Sequence, residues 1–143
     1  MNEFGAMDDL YRDFILDHYR NPRNAGTLPD PDATFEDNNP LCGDKIRMDL
    51  KVEDGKVADV RFAGRGCAIS MASASLLTEQ IKGMPLADIA KLGKDEVLAN
   101  IGIAISAARL KCALLGIKVL KQALAMKYEP SPEEEAFPDG RPA

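Results

Sequence analysis

The chain has 143 residues, a length typical of one domain, and its 45% hydrophobic content is enough to bury a core. Its 18 basic and 23 acidic residues give a net charge of −5, which argues against binding a nucleic-acid backbone, because that binding needs clustered cations. No apolar run reaches the roughly 20 residues that cross a bilayer, and the N-terminus lacks the features of an export signal. We therefore expect a cytoplasmic protein that binds neither nucleic acid nor membranes.

The first part of the chain predicts a helix followed by a loop. Apolar residues at helical spacing predict an amphipathic helix over residues 8–20, which Pro22 ends. The single histidine, His18, lies on this helix, and we interpret it as a packed residue rather than a metal ligand. The stretch 24–39, rich in Pro, Asp, Asn and Gly, predicts a loop with a short strand at residues 33–37.

The middle of the chain predicts a β-hairpin. Residues 45–52 alternate between apolar and polar side chains, Asp54-Gly55 is a two-residue turn signal, and residues 57–62 form the return strand. We expect Gly64-Arg65-Gly66 to break that strand. Polar side chains of the first strand, including Asp49, belong to its solvated face. The side chains predicted to point inward are Ile46, Met48, Leu50, Val52, Ala58, Val60 and Phe62.

The second half of the chain predicts helices. A helix over residues 68–82 ends at Gly83, a short helix from Pro85 reaches Leu92 and is capped by Gly93, and a long amphipathic helix covers residues 108–127. Between them we expect one more short helix at residues 95–101 and a loop at residues 100–108. Together the elements predict an α+β domain over residues 8–128, with helices packed on one face of an antiparallel sheet. A flexible N-terminus (1–7) and a disordered acidic, Pro-rich tail (129–143) flank it.

Three cysteines lie where the chain changes direction. Cys42 precedes the hairpin, Cys67 stands at a predicted helix N-terminus, and Cys112 falls in about the first turn of the last helix. Unpaired N–H groups at a helix N-terminus favour a thiolate, so Cys67 and Cys112 are placed where anionic sulfur is stabilised. Asp44 can converge with Cys42, since Gly43 between them permits a tight turn. Three sulfurs and one carboxylate give four ligands, the number that tetrahedral zinc or each iron of a sulfide cluster requires.

A second interpretation of these residues is purely structural. Free cysteines are commonly buried as small hydrophobic residues, and Asp44 can cap a turn. The wide separation of the three cysteines matches no compact zinc-finger pattern, whereas their odd number and the absence of an export signal argue against a disulfide framework. The residue pattern alone leaves the metal site and the structural interpretation open.

Four segments of the sequence resemble the U-type iron–sulfur cluster assembly scaffolds, the IscU, SufU and NifU N-terminal family, and they occur in the order found in that family. The resemblance implies an α+β fold with an N-terminal helix, a three-stranded antiparallel sheet and helices on one face. It also implies a metal or cluster site at one end, built from Cys42, Asp44, Cys67 and Cys112. The matching segments are Leu10-Tyr11 with Asp17-His18-Tyr19-Arg20-Asn21-Pro22-Arg23-Asn24, Asn39-Pro40-Leu41-Cys42-Gly43-Asp44, Gly64-Arg65-Gly66-Cys67-Ala68-Ile69-Ser70 running into Ala72-Ser73-Ala74-Ser75, and Arg109-Leu110-Lys111-Cys112.

The family's activity supplies further expectations. The resemblance implies that a pyridoxal-phosphate-dependent cysteine desulfurase delivers sulfur as a persulfide, for which Cys112 matches the acceptor. A transient [2Fe–2S] cluster then forms on the four ligands and passes to recipient apoproteins, with Gly43, Arg109 and Lys111 in supporting positions. Such a protein turns over no substrate by itself, so we expect a scaffold and sulfur acceptor rather than an enzyme.

Two departures from the IscU branch define an alternative. Lys111 stands where that branch has histidine; a lysine is a poor ligand but a good electrostatic partner for a thiolate. It favours a zinc-dependent sulfur-transfer protein that stimulates the desulfurase without holding a cluster, although the insertion of SufU members between the second and third cysteines is absent. Residues 105–109 replace the proline-containing segment that the IscU branch presents to its chaperone, so the resemblance does not extend to that partner. Zinc can also occupy a scaffold adventitiously, because it outcompetes ferrous iron for thiolates.

Overall fold

A computed structural model describes residues 3–39, 43–102 and 105–127. The three strands form one antiparallel sheet in the order β1-β2-β3. Helix α5 packs against β1 and β2, and α2 contacts α1, α4, α5 and β3. This arrangement confirms the predicted α+β class. The elements are α1 (Glu3–Arg20), β1 (Ala33–Asn39), β2 (Asp44–Glu53), β3 (Lys56–Arg65), α2 (Ala68–Ile81), α3 (Leu86–Ile89), α4 (Lys94–Ile101) and α5 (Ala107–Lys127).

The β2–β3 hairpin confirms the predicted turn but corrects one inward-facing residue. Asp54 and Gly55 both have positive φ, 53° and 73°, as a two-residue turn of the I′ kind requires. A register shift between Lys51 and Val52 leaves Ala58 outside the paired positions. As a result Val57 is buried and Ala58 is exposed, so the prediction that Ala58 points inward is wrong.

The supposed break at Gly64-Arg65-Gly66 is also wrong, since β3 continues to Arg65. Gly64 pairs with Ile46, and a Cβ at that position would overlap the carbonyl oxygen of Lys45. The glycine therefore permits close strand pairing instead of ending it. The extended strand carries the chain directly to Cys67.

Asp49 departs from its predicted solvated position, because it is only 1% exposed. Its carboxylate accepts hydrogen bonds from Thr34 Oγ1 at 2.6 Å, Arg47 Nε at 2.9 Å and the Leu28 N–H at 3.1 Å. Burial raises the pKa of Asp49, but the hydrogen bonds from Thr34 and Arg47 outweigh it and hold that pKa below the usual range. The strand alternation failed here because neighbouring segments cover the outer face.

Several helix boundaries differ from the predicted ones. Helix α1 begins five residues earlier, at Glu3 rather than residue 8, and the flexibility of residues 1–7 stays a prediction. Helix α3 ends at Ile89, and Gly93, predicted to cap it, instead precedes α4, where its N–H donates to Glu96 Oε2 at 3.0 Å. The predicted loop at 100–108 is shorter, because α4 runs to Ile101 and α5 starts at Ala107. Residues 40–42, 103–104 and 128–143, which include the predicted tail, lie outside the described residues.

The helices of the described segments include none that is long and apolar enough to span a membrane.

Candidate metal centre

Asp44, Cys67 and Cys112 come together at one end of the sheet. One carboxylate oxygen and the two Sγ atoms all lie within 4.8 Å of one another. Asp44 is the first residue of β2, Cys67 immediately precedes α2, and Cys112 lies on α5. Three of the four predicted ligands are thus adjacent although they are far apart in the sequence; Cys42, the fourth, lies outside the described residues.

Asp44 is the organising side chain of this cluster. It is 1% exposed, and its Oδ1 accepts a hydrogen bond from the Cys67 backbone N–H at 3.0 Å. The Cys67 thiol donates to Oδ2, with Sγ at 3.7 Å. Gly43, with φ 74°, precedes Asp44 and donates its N–H to the Asn39 carbonyl oxygen at 2.8 Å. The tight turn expected at Gly43 is therefore present.

Gly66 makes room for the Asp44 carboxylate. A Cβ at this position would lie 2.5 Å from Asp44 Oδ1 and 2.8 Å from its Cγ, closer than real Cβ contacts. Gly66 was predicted only to break a strand, and its contact with Asp44 was missed. The signal available in the sequence was a glycine directly before a candidate ligand, which marks close approach of another group.

The two thiols occupy different environments. Cys67 is half-buried at the N-cap of α2, beside the unpaired N–H groups of the first helical turn. Cys112 is 2% exposed and is the sixth residue of α5, in its second turn. The prediction that Cys112 also benefits from a helix N-terminus is therefore wrong, since that effect falls off within the first turn.

The predicted supporting residues on α5 do not join the cluster as buried groups. Arg109 and Lys111 are both exposed, and their proposed roles stay predictions. On the sheet side, Lys45 and Arg65 are cross-strand partners directly beyond Asp44 and Gly66. Four cations thus neighbour the cluster residues along the chain, in a protein whose net charge is negative.

The three side chains fit a tetrahedral metal ion. Zn–S bonds of about 2.3 Å place two sulfurs bound to one zinc about 3.8 Å apart. Ligand atoms already within 4.8 Å reach that spacing by small side-chain shifts. Two thiolates and one carboxylate suit zinc or iron, and they leave one coordination position for a fourth ligand.

A cavity of about 520 Å³ opens beside this cluster. Its lining includes Gly66, the residue before Cys67. Its wall combines aromatic, apolar and basic side chains. The residues that line it include Tyr19, Pro22, Phe62, Arg65, Gly66 and Met71.

His18 is a packed residue, as predicted, and is not among the clustered groups. It is 2% exposed; Nδ1 lies 2.7 Å from Ser75 Oγ and Nε2 lies 3.6 Å from Glu79 Oε1. Burial lowers the pKa of His18, and the charge of Arg23 lowers it further. The neutral imidazole therefore joins α1 to α2 on the helical side of the molecule.

The fold and the cluster together define a small α+β domain with a thiol–carboxylate centre at one end of its sheet. The sequence matches the family described as the NifU-like N-terminal domain over residues 10–134, and the chain belongs to that family. The resemblance to the U-type scaffolds is thereby confirmed.

Known relatives carry two kinds of name. The chain is 39% identical over 136 residues to the zinc-dependent sulfurtransferase SufU of Bacillus subtilis, covering 83% of this chain and 92% of the relative. It is 33% identical over 115 residues to the iron–sulfur cluster assembly scaffold protein IscU 1 of Archaeoglobus fulgidus, covering 80% of this chain and 74% of the relative.

Solved structures agree with the fold. A putative iron–sulfur cluster assembly scaffold protein for the SUF system from Fervidobacterium islandicum superposes with a TM-score of 0.69 at 28% identity, covering 78% of this chain and 93% of that one. The N-terminal part of a nitrogen-fixing NifU-like protein from Brucella abortus gives a TM-score of 0.70 at 26% identity, covering 87% and 98%.

Proposed function

We propose that this protein is an iron–sulfur cluster assembly scaffold. It accepts persulfide sulfur from a pyridoxal-phosphate-dependent cysteine desulfurase, holds a transient [2Fe–2S] cluster as cargo on Cys42, Asp44, Cys67 and Cys112, and passes the cluster to apoproteins. By itself it turns over no substrate. The observation that carries the proposal is the approach of the Asp44, Cys67 and Cys112 ligand atoms to within 4.8 Å of one another.

The sulfur-accepting step is a thiol exchange that needs no outside oxidant. The Cys112 thiolate attacks the outer sulfur of the donor's persulfide; a new S–S bond forms on Cys112, the donor's S–S bond breaks, and the donor cysteine leaves as a thiolate. Cys112 is 2% exposed whereas Cys67 is half-buried beside the cavity. We therefore expect sulfur to approach the pair from the Cys67 side.

Asp44 makes the cluster releasable in this proposal. A carboxylate oxygen is a harder and weaker partner for iron than a thiolate. Asp44 also accepts a hydrogen bond from the Cys67 N–H. This hydrogen bond stabilises the carboxylate when it is not bound to the metal. We expect Asp44→Ala to lengthen cluster lifetime after anaerobic reconstitution, followed by visible absorbance.

Asp59→Ala serves as the matched control for that experiment. Asp59 is a half-buried carboxylate paired with Arg61 and Lys82, and it is not among the clustered ligand groups. Its variant should keep the unmodified protein's cluster lifetime. A lifetime for Asp44→Ala that is shorter than, or equal to, that of the unmodified protein would count against the role of Asp44.

A second candidate function is zinc-dependent sulfur transfer without a cluster. It is favoured by the similarity to the Bacillus sulfurtransferase and by Lys111 directly before Cys112. Asp44, Cys67 and Cys112 would hold the ion, with Cys42 as the fourth ligand. When bound, zinc would keep the thiols deprotonated until ligand exchange frees one of them.

One paired experiment separates the two functions. The protein is purified without oxygen, its metal content is measured, and it is added to a cysteine desulfurase and, separately, to an apo-ferredoxin. Cluster absorbance with transfer to the ferredoxin supports the scaffold. Bound zinc with strong stimulation of the desulfurase and no transferable cluster supports sulfur transfer. Zinc content alone does not discriminate, because zinc displaces ferrous iron from thiolate sites.

A further inference from the structure

Ser70 carries a buried hydroxyl without a hydrogen bond beside the thiol cluster. The residue is 0% exposed, and among the residues that the structure describes its Oγ is the buried side-chain oxygen or nitrogen with no hydrogen-bond partner. Leaving a buried hydroxyl unpaired is costly, so native proteins rarely do so without a reason. The other buried serines of α2, Ser73 and Ser75, are both hydrogen-bonded.

The N-cap N–H of α2 is bonded to Asp44 and is not a partner of the Ser70 hydroxyl. Cys67 is the N-cap of α2, which makes Ser70 the third helical residue. In a capping box, a Glu or Gln at that position accepts the N-cap backbone N–H. Here Asp44 Oδ1 already accepts that N–H at 3.0 Å. The Ser70 hydroxyl is therefore held near Cys67 with its hydrogen-bonding capacity unused.

Helix packing directs the same face of α2 toward Cys112. Ser73 Oγ donates to the Ala113 carbonyl oxygen at 2.7 Å, and a Cβ on Gly116 would lie 3.5 Å from the Ala74 Cβ. Residues three and four positions apart share a helix face, so Ser70 lies on the face that Ser73 and Ala74 turn toward α5. It occupies the level between Cys67 and Ser73 on the side of α2 that faces α5, the helix that carries Cys112.

We propose that the Ser70 hydroxyl is a sulfur-binding group, which donates a hydrogen bond to the outer sulfur of a persulfide on Cys112. This inference rests on the sulfur-accepting step of the proposed function. In the sulfur-free protein the hydroxyl bonds to neither described thiol, so it has no interaction to lose when sulfur arrives. An interaction made only with the added sulfur shifts the exchange equilibrium toward the loaded protein.

The test is an exchange equilibrium with glutathione persulfide as the probe, in the absence of oxygen. The Cys112 thiol takes the outer sulfur from glutathione persulfide, giving Cys112 persulfide and glutathione, with one S–S bond formed and one broken. Alkylation and peptide mass spectrometry give the exchange constant at Cys112. We expect Ser70→Ala to shift this constant about tenfold toward glutathione persulfide and the unloaded protein, the size of one hydrogen bond to a charged group.

Stability separates sulfur binding from a structural role. Ser70→Ala removes an unpaired hydroxyl, so its melting temperature should equal or exceed that of the unmodified protein. Ser75→Ala removes a paired hydroxyl of the same helix; it should lower the melting temperature and leave the Cys112 exchange constant unchanged. An unchanged constant in Ser70→Ala, or an equal shift in both variants, overturns the inference.

The small-molecule probe keeps two failures apart. If the desulfurase loads no sulfur onto the unmodified protein, the proposed function fails. The exchange with glutathione persulfide then still reports whether Ser70 binds sulfur on Cys112.

Discussion

The two halves of helix α2 differ in the hydrogen bonding of their polar side chains. In the second half, Ser75 Oγ bonds to His18 Nδ1 and accepts the Arg23 N–H, and Thr78 Oγ1 donates to the Ser75 carbonyl oxygen at 2.7 Å. At the start of the helix, the N-cap residue Cys67 carries a thiol at the cluster and Ser70 carries the unpaired hydroxyl, whereas Ser73, one turn further on, is paired with the Ala113 carbonyl oxygen. Ser75 and Thr78, toward the C-terminal end of α2, are hydrogen-bonded within the protein, whereas the Ser70 hydroxyl near the N-terminal end is free to bind a ligand.

This contrast separates the part of α2 that stabilises the fold from the part that serves the site. A buried polar group that is paired specifies packing, because breaking the pair leaves its partner unsatisfied. An unpaired group is tolerated where a ligand completes it. Changes in the second half should therefore affect stability, and changes at Cys67 and Ser70 should affect binding.

The largest expected effect is that of Ser75→Ala on stability. The substitution leaves His18 Nδ1 and the Arg23 N–H without their buried partner. We expect the free energy of unfolding to fall by about 2–4 kcal/mol, measured by urea denaturation. Zinc affinity measured in the folded variant should be unchanged. A loss of stability in Ser70→Ala as large as in Ser75→Ala would remove the contrast between the two halves.

Gly66→Ala should damage the metal centre. The new Cβ would displace the Asp44 carboxylate, from which it would lie 2.5 Å, and break the bond to the Cys67 N–H. Disturbing groups that orient metal ligands costs about 10- to 100-fold in affinity, and we expect that loss in zinc titrations with a competing chelator. Gly93→Ala is the control, since a Cβ there meets only Glu96 Oε2 at 3.9 Å. Equal zinc affinities in the two variants would contradict the role of Gly66.

The free energy of unfolding should also depend on pH through His18, which is bonded to Ser75 in the second half of α2. Burial lowers its folded-state pKa below the ordinary value of 6.5, so the unfolded chain binds a proton that the folded protein resists. Stability from this group is complete above pH 6.5 and is lost as pH falls through the folded-state pKa, with a slope of at most about 1.4 kcal/mol per pH unit. Unfolding at pH 7.5 and 5.5 measures it. His18→Gln should lack this component; an identical pH dependence in the variant would refute the assignment.

The smallest effect on stability is expected for an ion pair outside helix α2. Lys118 Nζ lies 2.9 Å from Asp37 Oδ2, and this hydrogen bond lowers the pKa of Asp37. Because the Lys118 side chain is 60% exposed, solvent screens the pair, and Lys118→Ala should cost less than about 1 kcal/mol. Added salt should shrink the difference between the variant and the unmodified protein. A larger, salt-insensitive loss would show that Lys118 acts through packing.

Local sequence signals predicted the elements and most of the cluster. Alternation and the Asp54-Gly55 turn located the hairpin, and a glycine–cysteine junction located Cys67 before α2. The bulge that exposes Ala58 and the cover over Asp49 depend on contacts between distant segments, which local periodicity does not contain. Cys112 was placed in about the first turn of the last helix but is the sixth residue of α5; the capping serine that marks this boundary, Ser106, whose Oγ accepts the Arg109 N–H at 3.3 Å, was overlooked.

The functional details that were missed share a physical cause. Gly66 matters because the carboxylate of Asp44 approaches it from another strand. Ser70 matters because its hydroxyl is left unpaired one turn into α2, whose N-cap N–H the same carboxylate accepts. Both follow from one long-range contact that spacing along the chain does not reveal.

X-ray absorption at the zinc edge tests the central claim most directly. The protein is loaded with one equivalent of zinc, and the ligand atoms are counted in the unmodified protein, Cys67→Ser and Cys112→Ser. We predict a mixed sulfur and oxygen shell that loses one sulfur in each variant, because both thiols belong to one centre with Asp44. An unchanged number of sulfur ligands in either variant would contradict a shared site.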